Sequence, residues 1–117
     1  MNQLTLADLP KPEEIPGLFR RFNCEPACRF FERRSDAGVH CCVIGILARV
    51  FEIPHDVREG YRLNFEARGI NHAQYWAIAH GWDDVTDFYQ HRPAVKPWND
   101  YGRACADAVF PKEPEAV

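Results

Sequence analysis

Apolar residues recur at helical intervals in the middle of the chain. The spacing is three or four positions, as on one face of a helix. The residues that follow it are Val43, Ile44, Leu47, Val50 and Phe51. The pattern predicts a buried helix from about His40 to Phe51, and Pro54 stops it because proline cannot continue the helical hydrogen bonding.

A second helix is predicted between residues 56 and 69. Asp56 is placed to cap its start, and Val57, Tyr61 and Phe65 then share one face at intervals of four residues. Gly69 ends this helix, as glycine commonly does.

Caps and terminators predict three more helices towards the C-terminus. Asn71 caps the segment HAQYWAIAH, and Gly81 follows as a left-handed terminator. Asp83 or Asp84 caps a short helix that is broken before the next proline. The last helix is predicted from Asn99 to Phe110.

The first third of the chain is less regular. Prolines interrupt residues 1–17, which are predicted to form an arm whose leucines dock on the body. The run EPACRFFERR, from Glu25 to Arg34, fits either a helix or an extended segment, and its periodicity does not separate the two. The turn from Ser35 to Gly38 predicts a minor hairpin.

These elements predict a mainly α fold: a compact single domain of four or five short helices, with a minor β-hairpin giving an α+β alternative. The length of 117 residues is that of one ordinary domain. We therefore predict an N-terminal arm over residues 1–17, a globular domain over 18–110 and a flexible tail over 111–117.

Composition narrows the classes of function. Hydrophobic residues make up 46% of the chain, which is too much for a disordered protein. The net charge of -3 argues against a protein that coats nucleic acid, because that mode needs a surplus of Lys and Arg. No stretch has the length of a membrane span and the first residues lack the layout of a signal peptide, so we predict a cytoplasmic protein that does not contact membranes.

Cysteine chemistry is left open by the sequence. The stretch VHCCVIGIL offers soft ligands beside two earlier cysteines, and a zinc site would draw on Cys24, Cys28, His40, Cys41 and Cys42. Adjacent cysteines point about 100 degrees apart on a helix, so they do not easily bind one ion. A reactive thiol near the helix start is a second interpretation. Burial as small apolar side chains is the one we favour, and we expect no cofactor.

Residue types that often anchor interfaces concentrate in two segments. Arginine, tyrosine and tryptophan are enriched among the residues that contribute most to binding. The candidates are Arg29, Arg33 and Arg34 in one segment, and Tyr75, Trp76 and Trp82 in the other. One of the neighbouring pair Tyr75 and Trp76 should approach the surface. The arginine segment from Arg20 to Arg34 also supports a weaker alternative, contact with nucleic acid.

The order of motifs resembles that of short, mostly uncharacterised proteins from phages and bacterial accessory regions. The matching residues are Cys41, Cys42, Gly45 and Leu47, then Gly69 and Ile70, then Asp83, Asp84 and Phe88. The resemblance implies no known activity. It does imply a biological context in which small proteins bind and block other proteins, including host-defence machinery.

We therefore predict a small protein-interaction module that acts stoichiometrically as an inhibitor or regulator. The chain shows no phosphate-binding glycine loop, no His-Glu-x-x-His pair and no Gly-x-Ser-x-Gly elbow, so an enzyme is disfavoured. The alternative from a different class is a zinc-binding or thiol-dependent protein that uses the cysteines.

Overall fold

Helices make up most of the described chain, which comprises residues 3–26, 32–35, 38–54 and 61–110 of a computed structural model. Within these residues there are five α-helices, and this confirms the predicted mainly α fold. They are α1 (Ile15–Arg21), α2 (Val43–Val50), α3 (Arg62–Ala67), α4 (His72–Trp82) and α5 (Lys96–Val109). Single 3-10 turns lie at Leu6–Asp8, Pro12–Glu14 and Asp87–Tyr89.

A small sheet accompanies the helices. Its described strands are β1 (Cys24–Pro26), β2 (Glu32–Ser35) and β3 (Gly38–Cys41), in the order β1-β3-β2. β2 and β3 pair antiparallel with Ser35 opposite Gly38, which confirms the minor hairpin. β1 pairs parallel to β3. Of the two alternatives for the segment from Glu25 to Arg34, the extended one is therefore correct wherever that segment is described.

The start of α2 differs from the prediction. His40 and Cys41 belong to β3, and the helix begins only at Val43. The cause is pairing across the sheet, where Cys41 stands opposite Pro26 of β1 and Glu32 of β2. Cys42 has extended backbone angles and links strand to helix. Of the five residues of the predicted apolar face, Val43, Ile44 and Leu47 are buried, whereas Val50 and Phe51 are only partly buried.

The predicted cap of α4 is confirmed. The Asn71 side chain accepts a hydrogen bond from the Gln74 backbone N–H at 2.9 Å, and the Gln74 side chain accepts one from the Asn71 N–H at 2.9 Å. The predicted end is wrong, because Gly81 lies inside the helix and Asp84 is the residue with positive φ, at 63°. Gly69, in contrast, has a φ of 96° beyond the end of α3 and is the terminator that we predicted.

Gly81 is glycine because α4 and α5 approach each other closely there. A Cβ at Gly81 would overlap the backbone carbonyl of Asn99, and a Cβ at Gly102 would overlap that of Ile78. The buried Asn99 side chain joins the same contact, since its Nδ2 donates to the carbonyl oxygens of Ala77 at 3.0 Å and Val85 at 3.1 Å. α4 packs against α5 more extensively than any other described pair of elements does.

The last two predicted helices begin at residues other than those expected. The 3-10 turn follows Thr86 instead of being capped by Asp83 or Asp84, because Asp83 is the C-cap residue of α4 and Asp84 has the positive φ that follows it. α5 starts at Lys96 and has a proline in its first turn, where the missing N–H has no cost. The predicted start, Asn99, lies one turn inside the helix.

The N-terminal segment contributes to the core. Leu4 and Leu9 are buried, and the Leu4 N–H donates to the carbonyl oxygen of Arg68 at 2.7 Å. The Tyr101 hydroxyl of α5 donates to the carbonyl oxygen of Pro10 at 2.7 Å. The leucines therefore dock as predicted, while the division into arm, domain and tail stays a prediction. Asp56, the predicted cap of the second helix, and residues 111–117 lie outside the described residues.

Candidate functional site

Aromatic rings form a continuous row along one side of α4. His72, Trp76 and His80 are four residues apart and so lie above one another on the helix. The ring centroids of His72 and Trp76 are 6.1 Å apart, and those of Trp76 and His80 are 5.7 Å apart. The cap at Asn71 fixes the start of the helix, and therefore the direction in which these side chains leave it.

The row continues onto the 3-10 turn after α4. Tyr89 lies 5.6 Å from His80 between ring centroids, and its hydroxyl is hydrogen-bonded to His80 Nδ1. Burial raises the pKa of Tyr89. Phe88 meets Tyr89 edge to face at 5.1 Å. We call His72, Trp76, His80, Tyr89 and Phe88 the aromatic row.

Phe88 is the most exposed large apolar side chain in the described part of the protein, at 59%. The guanidinium carbon of Arg92 lies 4.0 Å from the centre of its ring, which is a cation–π contact. No described carboxylate forms an ion pair with Arg92. The row therefore ends in an exposed aromatic side chain covered on one side by a cation.

The three aromatic candidates from the sequence differ in how far they are buried. Trp76 is part of the row and is only partly buried, whereas Tyr75 and Trp82 are each 1% exposed. Consecutive helical residues point about 100 degrees apart, so Tyr75 faces inward and meets Phe65 at 5.6 Å between centroids. The structure thus confirms that one of Tyr75 and Trp76 approaches the surface, and burial removes Tyr75 and Trp82 from the candidate surface.

The arginine candidates lie largely outside the described residues. Arg29 is not described, and for Arg33 and Arg34 only the backbone in β2 is described. In the register of the hairpin, Arg33 stands opposite His40 and Arg34 opposite Val39. Their part in binding therefore stays a prediction, as does the contact with nucleic acid based on them.

The described cysteines of the candidate metal set are buried. Cys24, Cys41 and Cys42 are all core residues, and no described residues form a group of three or more side chains suited to hold a metal ion. Cys28 and the His40 side chain lie outside the described residues, so the zinc alternative stays a prediction. The Cys24 thiol is 3.5 Å from the carbonyl oxygen of Phe22 and donates to it.

Burial also governs the acidity of these thiols. It raises the pKa of Cys42 to about 12, and backbone N–H groups at the start of α2 only partly oppose it. Burial, followed by the neighbouring Cys24 thiol, raises the pKa of Cys41. Since the thiolate is the reactive form, these two cysteines are suited to packing rather than to nucleophilic chemistry.

We expect Cys41 and Cys42 to resist a thiol reagent in the native protein at pH 8. Their protonated thiols are buried, so modification requires the chain to open first. Alkylation followed by peptide mass mapping measures each cysteine separately, and the protein unfolded in guanidinium serves as the control. Labelling of Cys42 at the same rate in native and unfolded protein would contradict its burial.

The sequence interpretation missed most of the aromatic row. The sequence analysis named none of His72, His80 and Arg92 as a candidate site residue. The available signal was the interval of four residues, which His72, Trp76 and His80 follow on α4 and which also separates Phe88 from Arg92. The contact between His80 and Tyr89 joins the residues on α4 to those on the 3-10 turn. These two residues are nine positions apart and a turn lies between them, so the spacing of one helix does not predict their contact.

Comparisons with protein-family models, with curated proteins and with solved structures gave no match for this chain. The resemblance to accessory-region proteins therefore stays a prediction. Among the described residues, no helix combines the length and apolar character needed to span a bilayer. The site must accordingly be interpreted from its own geometry.

Proposed function

We propose that the protein is a stoichiometric protein-binding module that inhibits or regulates its partner, and that it binds through the aromatic row. The observation that carries the proposal is Phe88, a large apolar side chain that is 59% exposed at the end of a row of ring contacts that also includes the partly buried Trp76. Exposed apolar groups that adjoin one another favour association because contact removes them from water. Tryptophan, tyrosine and arginine are the residue types that most often dominate such contacts.

The row is also held in place before any partner arrives. Each of its rings contacts the next, and the hydrogen bond between Tyr89 and His80 fixes the turn against α4. A surface with few free rotamers loses little side-chain entropy on binding. The restricted side-chain freedom of the row supports its assignment as the docking surface, in preference to another exposed apolar residue.

A protein is the partner class that the charge balance supports best. The net charge of -3 disfavours binding to the phosphate backbone, which needs clustered cations. Host-defence machinery as the target is suggested by the resemblance of the sequence motifs alone. Regulation by binding needs no chemical step, so the proposal assigns no catalytic residue.

We expect Trp76→Ala and Phe88→Ala each to weaken partner binding by about 2 kcal/mol, or about 30-fold in Kd, because each removes ring area that the contact covers. The partner is first identified by affinity capture from host lysate and mass spectrometry. Titration calorimetry then compares the variants. Leu63→Ala is the matched control, since Leu63 lies on α3 outside the row and is 44% exposed.

Both variants should keep the melting temperature of the parent within a few degrees, because neither ring is fully buried. If folded Trp76→Ala and Phe88→Ala bind every captured partner as tightly as Leu63→Ala does, the row is not the docking surface. If the parent captures no specific partner from any host, the proposed function itself fails.

A further inference from the structure

The backbone around Arg92 is fixed by hydrogen bonds on both sides. Its N–H donates to the Tyr89 carbonyl oxygen at 3.1 Å, which ties it to the 3-10 turn. Its own carbonyl oxygen accepts from the N–H groups of Val95 at 3.0 Å and Lys96 at 2.9 Å, which ties it to the start of α5. Arg92 therefore leaves the surface from a defined position at the end of the aromatic row.

Its side chain is held by an aromatic ring rather than by a carboxylate. The guanidinium carbon lies 4.0 Å from the centre of the Phe88 ring, against 5.4 Å for Arg21 over Phe22. The ion pairs between described residues involve cations other than Arg92. They are Arg62 with Glu66, Lys96 with Asp100, and Arg103 with Asp84. A guanidinium stacked on a ring keeps the N–H donors at its edge available to a further group.

We infer that the partner docks with a carboxylate on Arg92 and an adjoining apolar side chain on Phe88, at the end of the aromatic row. The inference rests on the proposed function and specifies its partner as an acidic and apolar peptide segment. A planar guanidinium binds a carboxylate through two parallel hydrogen bonds, which fixes orientation as well as charge. The Phe88 ring shields one side of the guanidinium from water, which strengthens its attraction to an anion.

The charges nearby favour an acid of small size over a polyanion. His91 adjoins Arg92 and is exposed, while the exposed Asp87 adjoins Phe88 and would repel a second negative charge. Single-stranded nucleic acid also binds to stacked rings and arginine, but it needs cations along its whole backbone. One carboxylate beside an apolar group matches the charges around Phe88 and Arg92 better than a row of phosphates does.

The test selects random peptides on the purified full-length protein and then measures one selected peptide by fluorescence anisotropy. We expect enrichment of Asp or Glu next to a large apolar residue. Arg92→Gln should weaken binding about tenfold or more, and Arg92→Lys should restore it only in part because lysine lacks the planar fork. Arg103→Gln is the matched control, since Arg103 is an exposed arginine on α5 whose nearest described carboxylate is 3.8 Å away.

A double-mutant cycle makes the pairing specific. Replacing the peptide carboxylate by its amide should weaken binding to the parent protein, and should have little further effect on Arg92→Gln. Peptides enriched without an acid, or binding that depends on Phe88 but not on Arg92, would overturn the inference and leave the proposed function standing. Loss of all dependence on both Trp76 and Phe88 would overturn the proposed function as well.

Oligothymidylate is the probe for the competing class of partner. We expect no binding that depends on Trp76 or Arg92 at physiological salt. Tight binding of the oligonucleotide that is lost in both Trp76→Ala and Arg92→Gln would overturn the inference in favour of a nucleic-acid partner.

Discussion

Gly81→Ala is expected to lower the free energy of unfolding by about 3 kcal/mol, because the added methyl group has no room between α4 and α5. Its Cβ would overlap the backbone carbonyl of Asn99 and would lie 2.8 Å from the backbone nitrogen of Arg103. Backbone atoms cannot turn aside as a side chain can, so the two helices must separate. Alanine is the better helix former by about 1 kcal/mol, and the expected loss therefore has the opposite sign to the helix propensity.

Gly17→Ala provides the matched control for this prediction. Gly17 also lies inside a helix, α1, but its added Cβ would meet only the Arg20 side chain, at 3.8 Å. We expect Gly17→Ala to be neutral or to stabilise the protein by up to about 1 kcal/mol. Urea unfolding followed by circular dichroism measures both variants. Equal midpoints for Gly81→Ala and Gly17→Ala would show that α4 and α5 do not meet at Gly81.

Trp82→Ala is expected to cost about 3 to 5 kcal/mol in folding free energy, which is typical when a buried aromatic side chain is removed. The Trp82 ring is 1% exposed, stacks on Phe19 at 5.8 Å and contacts Phe110 at 5.4 Å between centroids. It therefore connects α4 to α1 and to the end of α5. Removal leaves a cavity that touches three elements at once.

The informative comparison is with Trp76→Ala, since both tryptophans lie on α4. Trp82→Ala should shift the urea midpoint strongly and, where still folded, should keep the partner affinity of the parent. Trp76→Ala should show the reverse, a small change in midpoint and a large loss of affinity. If Trp82→Ala remains as stable as Trp76→Ala, the assignment of Trp82 to the core is wrong.

Features set by neighbouring residues could be predicted from the sequence, as the cap of α4 shows. Asn71 and Gln74 are three residues apart and satisfy each other's backbone donors, so the whole interaction is contained in one turn. Gly69 was also predicted correctly, because the reversal after α3 depends on its own φ. Local chemistry is sufficient in both cases.

Features that depend on distant parts of the chain were not predictable in the same way. Glycine occurs both at helix ends and where two backbones approach each other closely. Gly81 has the second role, and this depends on the position of α5, which the local sequence does not specify. Cys41 continues an apolar run, yet its pairing with Pro26 and Glu32 puts it in a strand. Pro26 and Glu32 lie far from Cys41 in the sequence, so the helical spacing around Cys41 did not indicate that it pairs with them.

The candidate site also combines features set by neighbouring residues with features set by distant parts of the chain. The sequence could predict that one of Tyr75 and Trp76 faces outward, because the angle between consecutive helical residues is fixed. It could not say which one, since that depends on where Phe65 lies. The stacking of Arg92 on Phe88 depends on a 3-10 turn whose length no local pattern specified.

The hydrogen bond from Tyr101 to Pro10 joins residues that are 91 positions apart, and it has a consequence for the order of events during synthesis. Pro10 is synthesised before α5, so its carbonyl oxygen has no contact with Tyr101 until that helix has emerged from the ribosome. Contacts of such long range also slow folding. The contact between Tyr101 and Pro10 therefore cannot form until α1 to α4 and the first part of α5 have all been synthesised.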